Sequence, residues 1–122
     1  MDEPTFDRDG YPTDETLDAI RDWSYLDFPA LMEFVSSAWS DYGYFGRHED
    51  FDPPLLGLLK GDQDDGNWWT CATGGWSGNE SLIAALSANA MFDALCWQAS
   101  VWGGYHEYHF PSFCIGTTWY SW

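Results

Sequence analysis

Apolar positions in the N-terminal third of the chain recur every three or four residues, the spacing of helices with one buried side. In "DETLDAIRDW", residues 14–23, a helical step of about 100° per residue sets Leu17, Ile20 and Trp23 on one side. Asp14, Glu15, Asp18 and Asp22 fall within one arc on the other. Thr13 stands where a hydroxyl can cap the first turn. A second helix is predicted from near Pro29, whose fixed φ suits a first turn. There Leu31, Met32, Phe34, Val35, Ala38 and Trp39 form an apolar stripe opposite Glu33, Ser36, Ser37 and Ser40. Residues 1–12 show no period and contain Pro4, Gly10 and Pro12, so they read as a flexible acidic lead-in to a single domain spanning residues 13–122.

Past the second helix the period is lost. Gly43, Gly46, Pro53 and Pro54 break the chain into a long acidic loop. "LLGLLK" and "NWWTCAT" then flank "GDQDDG", which predicts a hairpin with a six-residue connection. In "SGNE", Ser77 and Glu80 have the spacing of a capping box, opening a helix expected to run to about Val101, where Gly103 and Gly104 stop it. Leu82, Ile83, Leu86, Ala90, Trp97 and Val101 form one stripe of that helix and Met91, Phe92 and Leu95 another, so its C-terminal half is expected to be buried nearly all round. "YHEYHF" and "FCIGTTWYSW" are aromatic, partly β-branched and punctuated by Gly, which suggests a closing pair of strands. The expected class is α+β: two N-terminal helices, a hairpin, a buried central helix and a C-terminal strand pair.

At 122 residues, 45% of them hydrophobic and 20% aromatic, the chain is long enough for one core and too apolar to be disordered. Charge changes the picture more. The net charge is −16, and it is unevenly spread: 17 acids against four bases give residues 1–65 a charge of −13, leaving −3 for the remainder. Such a surface repels nucleic acid and anionic membranes and attracts basic ones. Glu49, Asp50, Asp52, Asp62, Asp64 and Asp65 crowd into residues 46–67 with only Arg47 and Lys60 against them. Asp14, Asp18 and Asp22 stand at i, i+4 and i+8, like charges about 6 Å apart along the helix axis, a spacing similar to a row of phosphates. High net charge by itself keeps a protein soluble, and the helix N-terminus offsets part of the repulsion at Asp14 and Glu15. The row and the loops together suggest a surface shaped to meet a basic groove.

Other chemistries are less well supported. His106, His109 and Cys114 lie close together, but in a strand the two histidines have opposite parity, and no second ligand pair has structural-zinc spacing. No metal or cofactor is expected. Cys96 lies in the apolar part of a predicted helix, where a cysteine behaves as a small inert hydrophobe, Cys71 has no His nearby in sequence, and three cysteines without a C-x-x-C pair suggest a reducing compartment. With no leader-like N-terminus and no membrane-length apolar run, a cytoplasmic location is expected. Nine tryptophans raise a sugar-binding reading, under which Trp68 and Trp69 alternate faces in a strand and one of them is exposed. The competing reading is that large rings fill a core poor in Ile and Val.

The segment "TGGWSGNESLIAALSANAMFDALCWQASVWGGYHEYHF", preceded by "YPTDETLDAIRDW", resembles small acidic proteins encoded on phages and other mobile elements. The resemblance covers about half of the chain and brings no catalytic residues. Small acidic phage proteins include DNA mimics that block restriction or CRISPR complexes, and this chain is similar to them in size and charge. The expectation is therefore a non-enzymatic inhibitor of the anti-CRISPR or anti-restriction type. It would bind a basic nucleic-acid-binding protein through Asp14, Glu15, Asp18, Asp22 and the two acidic loops, and would bind neither nucleic acid nor membrane directly. An immunity protein against a basic nuclease toxin presents the same physics, and a sugar-binding module or small hydrolase are the readings from other classes.

Overall fold

The computed structural model describes residues 2–47, 68–101 and 103–110. Helix α1 (Asp14–Arg21) begins where Thr13 accepts the backbone N–H of Thr16 at 3.3 Å, as the sequence predicts. A turn of 3-10 helix (Tyr25–Asp27) leads into α2 (Phe28–Ala38), with Pro29 in its first turn. Strands β1 (Tyr44–Arg47) and β2 (Trp68–Ala72) follow, then α3 (Ser77–Ala88), α4 (Ala90–Cys96), β3 (Trp97–Val101) and β4 (Tyr105–His109). The strands form one antiparallel sheet in the order β1-β2-β4-β3. The class is α+β, as expected.

Alternation along the strands gives the sheet two faces. Phe45, Trp69, Cys71 and Tyr108 join a core with Ile20, Leu31, Met32, Val35, Leu82, Leu86 and Phe92 from the helices. Phe92 packs edge-on against Phe28 at 5.3 Å and tilted against Tyr108 at the same distance. On the opposite face Trp68, Thr70 and Glu107 are buried as well. Glu107 accepts the Tyr105 hydroxyl at 2.5 Å.

Four expectations need correction. The helix expected to run from Ser77 to Val101 is broken at Asn89, and residues 97–101 are a strand. Asn89 is buried where three elements meet. Its Nδ2 donates to the carbonyls of Ile20 (3.0 Å) and Trp23 (3.1 Å), and its Oδ1 accepts the N–H of Phe92 (3.2 Å), capping α4. One amide thus satisfies two carbonyls at the end of α1 and a free N–H of α4. Ser77 does not cap α3: Trp76 occupies the cap position, and Ser77 is the first helical residue. Gly78 permits this, because a Cβ there would lie 2.3 Å from the Trp76 ring.

Burial of the C-terminal half of the expected helix is also one-sided. Leu86, Phe92 and Cys96 are buried, but Ala90 and Met91 are exposed, and Trp97 stands on the strand at 45% exposure. Finally, Tyr44–Arg47 pairs with β2, although Gly43 and Gly46 read as loop. Gly43 is required because a Cβ would approach the Ala72 carbonyl oxygen to 1.8 Å. The predicted hairpin partner, residues 55–60, and the last predicted strand within residues 113–122 lie outside the described residues. The strands flanking β4 are β2 and β3.

The lead-in is tied to the fold. Asp7 Oδ1 accepts the N–H groups of Asp9 (2.9 Å) and Tyr11 (3.0 Å), closing a turn whose arms meet at Phe6 and Pro12. Thr5 N–H donates to Thr16 Oγ1 at 2.8 Å, and Tyr11 stacks on Trp76 at 5.1 Å.

Candidate partner-binding surface

The inner face of α1 is held by Thr16 and Ile20, both fully buried, with Leu17, Ala19 and Trp23 partly buried around them. Asp14, Glu15, Asp18 and Asp22 are all exposed on the outer face, the arc the helical spacing assigns to them. Arg21 is on this face too, and its guanidinium pairs with Asp18. The row of like charge is therefore tempered at its centre by one exposed ion pair, a contact of small energetic weight. The acids continue beyond the helix. Asp2, Glu3, Asp7, Asp9, Asp27, Glu33 and Asp41 are exposed as well, so every carboxylate from Asp2 to Asp41 faces solvent, with only Arg8 and Arg21 among them. The remaining expected site residues, Glu49, Asp50, Asp52, Asp62, Asp64 and Asp65, lie outside the described residues.

A groove of about 700 Å³ opens between the lead-in and α2. Ala30, Glu33, Phe34 and Ser37 line it from α2 at i, i+3, i+4 and i+7, the spacing of one helical stripe. Trp23 lies against Phe34 with ring centroids 5.0 Å apart, and its indole N–H donates to the Asp27 carbonyl at 2.9 Å, which fixes the ring. Glu33 and Phe34 were assigned to opposite sides of α2 from sequence, yet both reach this groove.

The sheet carries a polar pair that sequence reasoning missed. Ser100 Oγ lies 2.6 Å from His106 Nδ1 and accepts the Trp97 indole N–H at 2.8 Å. Burial lowers the His106 pKa, which favours a neutral ring whose Nδ1 accepts the serine hydroxyl. Nucleophilic catalysis needs a third group orienting the base, and among the described residues none is placed against this imidazole. The pair fastens the β3–β4 hairpin, where residues 100 and 106 sit in register. It was hidden because residues 97–101 read as helix; once they are placed in a strand, the Gly103–Gly104 turn puts Ser100 opposite His106.

Burial bears on the particular cysteines and tryptophans named for the thiol and sugar readings. Cys71 and Cys96 are buried free thiols, and burial drives the Cys71 pKa far up, away from the thiolate that chemistry requires. The Tyr108 hydroxyl is likewise pushed up, first by burial and then by Cys71 and Asp93. Trp68 and Trp69 are 1% and 7% exposed, so neither offers a sugar a ring face. Among the described residues no group of three or more His, Cys, Asp or Glu is placed to hold a metal ion. No helix among them is long and apolar enough to cross a membrane. No family model, no curated protein and no solved structure matches the chain.

Proposed function

We propose that this chain is a protein inhibitor that lays its acidic N-terminal layer on the basic nucleic-acid-binding surface of a host defence complex, of the anti-CRISPR or anti-restriction type, in the cytoplasm of the host cell. The observation that carries the reading is the unbroken exposure of the carboxylates from Asp2 to Asp41 around an outward helix row. Lys/Arg channels that bind nucleic acid draw most of their nonspecific affinity from phosphate charge. A rigid row of carboxylates competes for those contacts without base recognition. No chemical step is assigned to any residue.

The test is competition. The parent protein, immobilised in a lysate of the host at low salt, should retain a nucleic-acid-binding protein or complex, and the purified target should lose DNA or RNA binding as the inhibitor is added. Replacing Asp14, Asp18 and Asp22 together by Asn should weaken that competition more than any one replacement, and raising the salt should weaken the parent, because exposed charges are screened beyond roughly 8–10 Å near physiological ionic strength. A triple variant that competes like the parent, with no dependence on salt, would refute the reading. Capture of a secreted-type nuclease with the same charge dependence would assign the surface to toxin immunity instead.

A further inference from the structure

We propose that the groove between the lead-in and α2 is an anchoring site for an extended, arginine-bearing segment of the partner protein; this rests on the inhibitor reading and names where the partner is gripped. The groove differs from the rest of the acidic layer in having an apolar interior. Phe6, 45% exposed, lines it together with the tilted pair of Trp23 and Phe34. Asp2, Glu3, Asp27 and Glu33 line the same groove, and no lining residue is basic. None of the four carboxylates takes part in an ion pair among the described residues.

That combination selects its occupant. An apolar peptide would bring no partner for four carboxylates, and a nucleic acid or anionic lipid would be repelled by them. A compact ammonium satisfies the rim but gains little from the rings. A guanidinium does both: it stacks on an aromatic face within about 6 Å of the ring centre while its N–H groups reach carboxylates at the edge. The Trp23 ring is already fixed by its indole hydrogen bond to Asp27, so little order is lost on binding. Length sets the reach. Asp27 to Ser37 spans ten helical steps, about 15 Å, which matches four or five extended residues at about 3.3 Å each. Within such a segment side chains two apart point the same way, so two arginines separated by one residue enter the groove together.

The probe is a labelled, end-blocked peptide of sequence Gly-Arg-Leu-Arg-Gly, with Gly-Lys-Leu-Lys-Gly and Gly-Gln-Leu-Gln-Gly as comparators. Binding to the full chain is followed by anisotropy and by the Trp23 indole N–H resonance at near-physiological salt. The arginine peptide should bind tighter than the lysine peptide, the glutamine peptide should not bind measurably, and the Trp23 resonance should shift. Asp27→Asn and Glu33→Gln should each weaken binding about two- to fivefold, and Phe6→Ala by a similar factor. All three sites are exposed, and unchanged thermal melting confirms that the fold is kept. The Asp14, Asp18 and Asp22 triple Asn variant should stay within about twofold of the parent. If that triple variant weakens the peptide as much as the groove variants do, or if arginine and lysine peptides bind alike without moving the Trp23 resonance, the groove assignment is overturned. The two readings fail separately: loss of peptide binding with full competition at the target's nucleic-acid surface removes the groove, whereas peptide binding with no competition at any such surface removes the inhibitor reading.

Discussion

Replacing Asn89 by Ala should be among the most destabilising single changes outside the apolar core, and the loss can be apportioned. Removing the side chain uncaps α4 at Phe92 N–H, which costs about 1 kcal/mol. It also strips the donor from the Trp23 carbonyl, at about 1–3 kcal/mol if that group stays buried without a partner, while the Ile20 carbonyl keeps the Trp23 N–H at 3.3 Å. The sum is about 2–4 kcal/mol, a large part of the roughly 5–15 kcal/mol that holds a domain. At about 4 °C per kcal/mol for a chain of this size the melting point falls by about 8–16 °C. Asn89→Asp separates the two roles, since a carboxylate caps α4 as well as an amide does but turns a charge toward the two carbonyls. It should therefore be no better than Ala. Urea titration of the parent and both variants gives the free energies. An alanine variant that loses less than 1 kcal/mol, or an aspartate variant that keeps parental stability, refutes the claim that this amide joins α1 to the α3–α4 break.

Ser77→Ala should change stability by less than about 0.5 kcal/mol, since Ser77 lies inside the first turn and its exposed hydroxyl reaches only Tyr11 Oη at 3.4 Å; a loss near 1 kcal/mol in urea would restore the capping box. His106→Gln should flatten the acid limb of the stability profile. Burial lowers the folded pKa below 6.5, so as pH falls through 6.5 the unfolded chain takes up a proton that the folded chain resists, and stability present above that pH is lost below it. The difference between parent and variant should be constant above pH 6.5 and shrink beneath it, and a difference flat down to pH 4.5 would contradict the assignment. Cys71 and Cys96 should resist a thiol reagent in the native protein and react on unfolding, as mass spectrometry of the labelled peptides would show.

The parts legible in the sequence were those settled within one turn of chain. Thr13 before an acidic first turn, and Pro29 before a run of apolar residues at helical spacing, specify α1 and α2 by local hydrogen bonding and by one buried stripe. The parts misread were decided by distant neighbours. Gly43 and Gly46 look like breakers, yet Gly43 is needed because β2 passes too close for a side chain. Trp97 and Val101 continue the apolar stripe of α3 and still leave the helix, because residues 97–101 pair with β4; the stripe is already interrupted at Asn89, whose amide serves the end of α1 more than sixty residues earlier. The site divides in the same way. The outward row on α1 follows from helical spacing alone, whereas the groove needs the lead-in folded against α2, which no local pattern announces.

The docking of α1 explains why its outer row can serve recognition. The helix is fixed to the domain by groups on its inner side and at its ends: Ile20 in the core, the Thr5–Thr13–Thr16 hydroxyl cluster at its start and the Asn89 amide at its finish. Asp14 and Asp22 take no part in that attachment, and Asp18 contributes only an exposed pair with Arg21. Removing the three charges loses that pair and the favourable charge at the helix N-terminus, but relieves repulsion along the row, terms of a few tenths of a kcal/mol with opposite signs. The fold is thus indifferent to the row. A charge pattern that stability does not require, held rigidly by contacts that do not involve it, is left with two uses, solubility and recognition. Solubility depends on net charge, and a scattered set of carboxylates supplies it equally well. Moving the three aspartates to other exposed positions at constant net charge should preserve solubility and weaken competition at the target as the triple Asn variant does; competition that stays at the parental level after the rearrangement would reduce the row to a solubility coat.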